Sequence, residues 1–190
     1  MDYAERTGNP LGRIFAHLTL GLANVLNGAW HEALEVLGTP LTIGRERRLL
    51  VLEGGVLAVM AAAHLGLGDR ARSLTLAEES IAGSRRRGAR LWEFSALLTR
   101  IRALRETQGL QATSQIEAAL AEADTWLEMS GAKSYEPFLH LERAELARLT
   151  GDDASRERAL REAHRLFVEM GATARADDLA RQLGITEAAG

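Results

Sequence analysis

The chain has 190 residues, 46% hydrophobic and 26% charged, with a formal net charge of −3, so it is long and apolar enough to fold around a core, and its charge speaks against a nucleic-acid-binding surface. Cysteine is absent, which excludes disulfides and thiolate metal sites. No apolar run approaches the ~20 residues that cross a bilayer, and the N-terminus lacks a basic-then-apolar signal pattern, so the expectation is a cytoplasmic protein with no membrane partner.

Few β-branched or aromatic residues and only three prolines predict an all-α chain. A first long helix is expected over residues 11–27, where Ile14, Leu18, Leu22 and Val25 recur at helical spacing before Asn27-Gly28. Its partner is expected over 29–37, stopped by Gly38-Thr39-Pro40, with a loop to Gly44. The second hairpin pairs 45–66 with 70–84 across Gly68-Asp69, where Asp69 suits an N-cap. The third pairs 90–107 with a helix opened by a capping box, Ser114-Gln115-Ile116-Glu117, after a turn at Gly109. The fourth pairs 135–149 with a helix ending at Met170, across Gly151-Asp152-Asp153. A charged helix over 173–183 closes the series.

One phrase recurs between hairpins: a helix end, a glycine and a polar stretch. It occurs at Gly8, Gly88, Gly131 and Gly171, spacings that imply a period near forty residues and a further junction near residue 48. Such a period marks stacked helical hairpins. The expected repeats are 11–43, 44–88, 89–131 and 132–171, within a single domain over 1–190.

The hairpins resemble tetratricopeptide repeats. Leu20-Gly21, then Gly28-Ala29-Trp30 and Ala33-Leu34, follow that family's consensus order, and Gly68-Asp69 with Ala77 repeats part of it. Ser73 stands where alanine is usual, and the later repeats keep only Ala119-Leu120 and Ala159-Leu160. The period is also longer than the family's ~34 residues. The resemblance implies a right-handed α-α superhelix of about four hairpins with a capping helix. Three further phrases, around Arg87–Glu93, Ser134–Phe138 and Arg158–Ala172, resemble the repeat tails of bacterial cyclase/ATPase and large LuxR-type signalling regulators. Of those proteins' other parts, the chain has no phosphate loop, no cyclase motif and no DNA-binding helix-turn-helix. The opening phrase at Gly8 reads as the end of a second helix lacking its first, so a piece of a longer protein is expected.

Catalytic motifs are not recognisable. Gly66-Leu67-Gly68 resembles the start of a dinucleotide fingerprint, but it joins two helices where that motif needs a strand. No histidine pair has helical metal-site spacing, and no serine sits in a nucleophile elbow. Neither a cofactor, a metal nor an enzymatic activity is expected. In repeats of this kind, first-helix residues line the concave face. That rule nominates Phe15, Leu18, Leu22 and Val25, then Leu98, Arg102 and Arg105, then Phe138, Leu141, Glu145 and Arg148 as a groove for a protein or peptide. That partner includes, by resemblance, an ATPase or cyclase domain of the parent protein. The N-terminal members read alternatively as packing for an upstream repeat. Arg85, Arg86, Arg87 and Arg90 form the sharpest charge cluster, read either as a complement to a helix C-terminus or as a contact for an acidic partner. Two other functions stay open: a metabolite sensor around Trp92, Tyr135 and Arg102, and a homodimer through the apolar N-terminal face.

Overall fold

A computed structural model describes residues 9–46 and 48–185. All regular structure among them is helical. The chain divides into two compact units, Met1–Thr107 and Gln108–Gly190. The junction expected at Gly8 lies outside the described residues.

The first unit begins with α1 (Pro10–Leu26), whose start is set by Asn9: its side chain accepts from the Leu11 and Gly12 amides at 3.1 and 3.2 Å. Helix α2 (Trp30–Glu46) departs from the sequence expectation, because it runs straight through Pro40. Proline removes one backbone donor. Its ring is nevertheless buried, in line with Ala33, Leu37 and Gly44, and Leu41 beside it packs on two core clusters. The apolar stripe outweighs one lost hydrogen bond of about 1 kcal/mol. The loop expected over 38–44 is therefore helix.

The junction instead falls at residue 48. Arg48 has φ 56°, and the Leu49 amide reaches back to the Gly44 carbonyl at 2.8 Å. That bond is the Schellman closure of a helix end. It recurs at the glycine corners, for example from Asp69 to His64 and from Ala89 to Ser84, both at 2.9 Å. Left-handed residues stand at 28, 48, 68, 88, 109, 131, 151 and 171, at intervals of 20 to 22 residues. The forty-residue period is thus two steps of about twenty, each one helix and one left-handed corner. Arginine takes one corner where glycine takes the rest, at a conformational cost of about 1–2 kcal/mol.

A short 3-10 turn, Leu50–Leu52, leads into α3 (Glu53–Gly66), followed by α4 (Arg70–Arg87) and α5 (Arg90–Gln108). Asp69 caps α4 as expected, accepting from the Arg72 amide at 3.2 Å. Helix α3 is the apolar run of the sequence, and Gly54 through Val59 are all buried. It packs against α1, α2 and α4. Its glycines permit close approach. A Cβ at Gly55 would lie 2.6 Å from the Trp92 ring of α5 and 3.0 Å from Leu18 of α1, and one at Gly66 would meet the Trp30 ring at 2.4 Å. Gly21 plays the same part between α1 and α2, facing the fully buried Leu37. Small residues at these positions bring helices together, as the repeat consensus implies. Ser73, in the usual alanine place, is also fully buried.

The second unit contains α6 (Thr113–Ser130), α7 (Glu136–Thr150), α8 (Asp153–Glu169) and α9 (Thr173–Leu183), the last matching the expected capping helix. The capping box expected at Ser114 does not form. A 3-10 turn, Gly109–Ala112, already leads into α6, its cap residue is Ala112, and the Thr113 hydroxyl donates to the Leu110 carbonyl at 2.8 Å. Asp152 does cap α8, accepting from the Ser155 amide at 2.9 Å. Helices α7, α8 and α9 close around Ala144, Leu160, Ala163, Phe167, Ala176 and Leu179.

Candidate functional site

The first unit carries an open groove of about 420 Å3 lined by Val25 of α1, Ala62, Leu65 and Gly66 of α3, and Thr99, Arg102 and Glu106 of α5. Trp30 and Arg70, the first residues of α2 and α4, complete it with Gly68. These are repeat-equivalent positions. Val25, Leu65 and Glu106 each precede a left-handed residue by three places, and Trp30 and Arg70 each follow one by two. The first helices of three successive hairpins therefore contribute to one groove. Its floor is apolar. Its rim carries an ion pair, Arg70 Nε to Glu106 Oε2 at 3.0 Å, with Arg102 nearby.

Of the first-helix positions nominated from sequence, Val25 and Arg102 line this groove. Leu18 does not, being 2% exposed inside the core with Ile14, Leu37, Val56 and Val59. Leu98 is also buried, Leu22 packs half-buried on that core, and Arg105 is half-buried. Phe15 is 58% exposed. The nominees of α7 belong to the second unit. Phe138 stands edge-on to Phe167 at 5.5 Å, and the Arg175 guanidinium lies 5.0 Å over its ring, so this phenylalanine helps dock the capping helix. Leu141 packs half-buried on the same core, while Glu145 and Arg148 pair with each other at 3.0 Å.

The arginine cluster is largely engaged within the fold. Glu93, buried at the start of α5, takes Arg85 at 2.8 Å and Arg90 at 3.4 Å. Arg87 reaches Glu53 at 3.3 Å, and Arg45 reaches the same carboxylate at 2.8 Å. Arg86 is exposed. Arg45–Glu53 and Arg85–Glu93 are the same pair one hairpin apart: each arginine precedes its left-handed corner by three residues, and each glutamate follows it by five.

The residues suggested for a metabolite pocket do not form one. Trp92 and Arg102 lie ten positions apart on α5, about 15 Å along the helix. Trp92 covers Gly55, whereas Arg102 lines the groove near Gly66. Tyr135, in the second unit, stands edge-on to Trp126 at 5.8 Å.

The histidines are used locally. His17 Nδ1 lies 2.8 Å from the Arg13 carbonyl, His64 Nδ1 3.2 Å from Asp69, and His140 Nε2 3.9 Å from Glu136. Burial and the neighbouring Arg143 hold the His140 imidazole below its ordinary pKa. Among the described residues, no group of three or more histidines and carboxylates is placed to hold a metal. None of their helices is long and apolar enough to cross a membrane.

Sequence reasoning missed Trp30, Leu65, Arg70 and Glu106. The available signal was their fixed offset from the corners. It stayed hidden because the corner at residue 48 carries no glycine. No family model matches the chain, and no curated protein matches it.

Proposed function

We propose that the chain is a tetratricopeptide-like interaction module that holds a segment of a partner protein in the α1–α3–α5 groove. The carrying observation is that the groove is assembled from equivalent positions of successive hairpins, with an apolar floor at Val25, Trp30 and Leu65 and charge along one rim. A side chain of the segment would dock on the floor while the rim sets its register. By the resemblance of Arg87–Glu93, Ser134–Phe138 and Arg158–Ala172, the module serves as the regulatory tail of a bacterial signalling or transcription regulator.

The test is a peptide-display selection against the whole chain, followed by titration of the selected peptides. Trp30→Ala and Arg102→Glu should each weaken binding by on the order of tenfold or more. Met129→Ala, at an exposed position in the other unit, should leave it unchanged. Peptides indifferent to Trp30 and Arg102 would refute the groove as the binding site.

A second reading, self-association, rests on α1, where Phe15 and Leu26 are 58% and 73% exposed. Light scattering over a concentration series decides it. A Phe15→Glu variant that dissociates the assembly supports it, and a monomer at the highest concentrations removes it.

A further inference from the structure

The corners between hairpins provide an internal comparison. At the first, residue 48 is left-handed, a 3-10 turn follows at Leu50–Leu52, and Glu53 opens the next helix. At the third, residue 131 is left-handed, a 3-10 turn follows at Lys133–Tyr135, and Glu136 opens the next helix. The backbones correspond closely. Leu49 and Ala132 have φ, ψ of −89°, 60° and −81°, 62°, and Glu53 and Glu136 have −56°, −44° and −57°, −43°. The glutamate that takes an arginine at the first corner, and its counterpart Glu93 at the second, thus has an equivalent in Glu136.

Its partner differs. Three residues before the corner stand Arg45 and Arg85, each donating through Nε at 2.8 Å. The third corner has Glu128 there. Glu128 and Glu136 line one cavity of about 300 Å3 with Asp124, Leu127, Lys133 and Arg143. Arg143 is engaged by Asp124 at 2.5 Å. A guanidinium is therefore the group that the fold places against this glutamate twice elsewhere, and here the chain supplies a second carboxylate.

We infer that the α6–α7 corner receives an arginine side chain of a partner protein, held between Glu128 and Glu136 as Arg45 and Arg85 are held by Glu53 and Glu93. The contact is charge-assisted and directional, which favours arginine's planar fork over lysine's ammonium. It is a second anchoring point, separate from the groove of the first unit and independent of it.

The test uses the whole chain and acetyl-Gly-Arg-Gly-amide, with its citrulline and lysine counterparts, followed by amide chemical shifts of residues 127–136. The arginine peptide should produce saturable shifts there, and the neutral citrulline and the lysine peptides should bind weaker by on the order of tenfold. Glu128→Gln should weaken the arginine peptide several-fold. Glu128→Arg should abolish its binding and raise the thermal midpoint by about 1–3 °C, because the internal pair of the other corners is restored. Three results would each overturn the inference: no shifts at these amides, equal binding of the citrulline or lysine peptide, or arginine binding that survives Glu128→Arg.

Discussion

A methyl group added at Gly55 measures how closely the first helices of successive hairpins meet. Its Cβ would lie 2.6 Å from Trp92 Cε2, 2.9 Å from Trp92 Cδ2 and 3.0 Å from Leu18 Cδ2. Carbon atoms in contact sit about 3.5–4.0 Å apart, so a ring or a helix must shift by about 1 Å. Overpacking of this kind costs about 1–3 kcal/mol, while glycine-to-alanine in a helix gains up to about 1 kcal/mol. Gly55→Ala should therefore lose about 1–2 kcal/mol. Gly38→Ala is the control. It is exposed within α2, and a Cβ there meets nothing within 4 Å. It should gain about 0.5–1 kcal/mol. Urea unfolding followed by tryptophan fluorescence reads both, with an unchanged slope required for the comparison. A Gly55→Ala protein stabilised as much as Gly38→Ala would refute the Trp92–Gly55–Leu18 contact and the hairpin stacking read from it.

Arg48→Gly should stabilise the chain by about 0.5–1 kcal/mol, since the strain of a left-handed arginine exceeds the entropy that glycine brings; a lower urea midpoint counts against the corner. Glu93→Ala should cost about 1 kcal/mol, because its two arginines return to water, whereas Glu79, half-exposed and 3.7 Å from Arg45, should tolerate alanine within about 0.5 kcal/mol. Equal effects from the two would show that the buried pair is not special. For His140, the folded pKa lies below the unfolded value of about 6.5. The folded chain then binds this proton less readily, so stability falls as pH drops from about 6.5 through the folded value. His140→Gln should flatten that part of the stability profile; an unchanged slope would remove the assignment.

Helix identity was legible where a capping residue and a periodic stripe agreed, as at Asp69 before α4 and Asp152 before α8. It failed where a local rule met tertiary packing. Pro40 marks a stop by its chemistry, yet its ring is buried on the stripe of Ala33 and Leu37, and that stripe continues to Gly44. Ser114 and Glu117 have capping-box spacing, but the turn at Gly109–Ala112 had already begun the helical path. Burial of Leu18 and exposure of Phe15 on one helix could not be separated by period alone, because both lie near the edge of its stripe. The groove was half legible for the same reason. Counting from the junction glycines found Val25 and Arg102. The wall made by Trp30 and Arg70 comes from second helices, which the concave-face rule leaves out.

The arginine run shows why residue type misleads in a repeat and offset does not. Read as a sequence, Arg85-Arg86-Arg87 is the most conspicuous surface feature. Read from its corner, Arg85 is the member at minus three and belongs to Glu93, and Arg87 crosses to Glu53, so the run mainly ties helices together. Glu128 is inconspicuous among many acids, yet it occupies the same offset with the opposite sign. Neighbouring copies of a repeat share a backbone, so the position that a structural charge fills in two copies is a measured requirement for the third. Reversal of sign there costs the chain an internal ion pair and puts a carboxylate pair at the edge of a cavity. A scaffold has no use for that exchange, whereas a surface that takes an arginine from outside does. The corners of such chains are therefore best compared offset by offset: agreement marks what holds the stack, and departure marks what it offers to a partner.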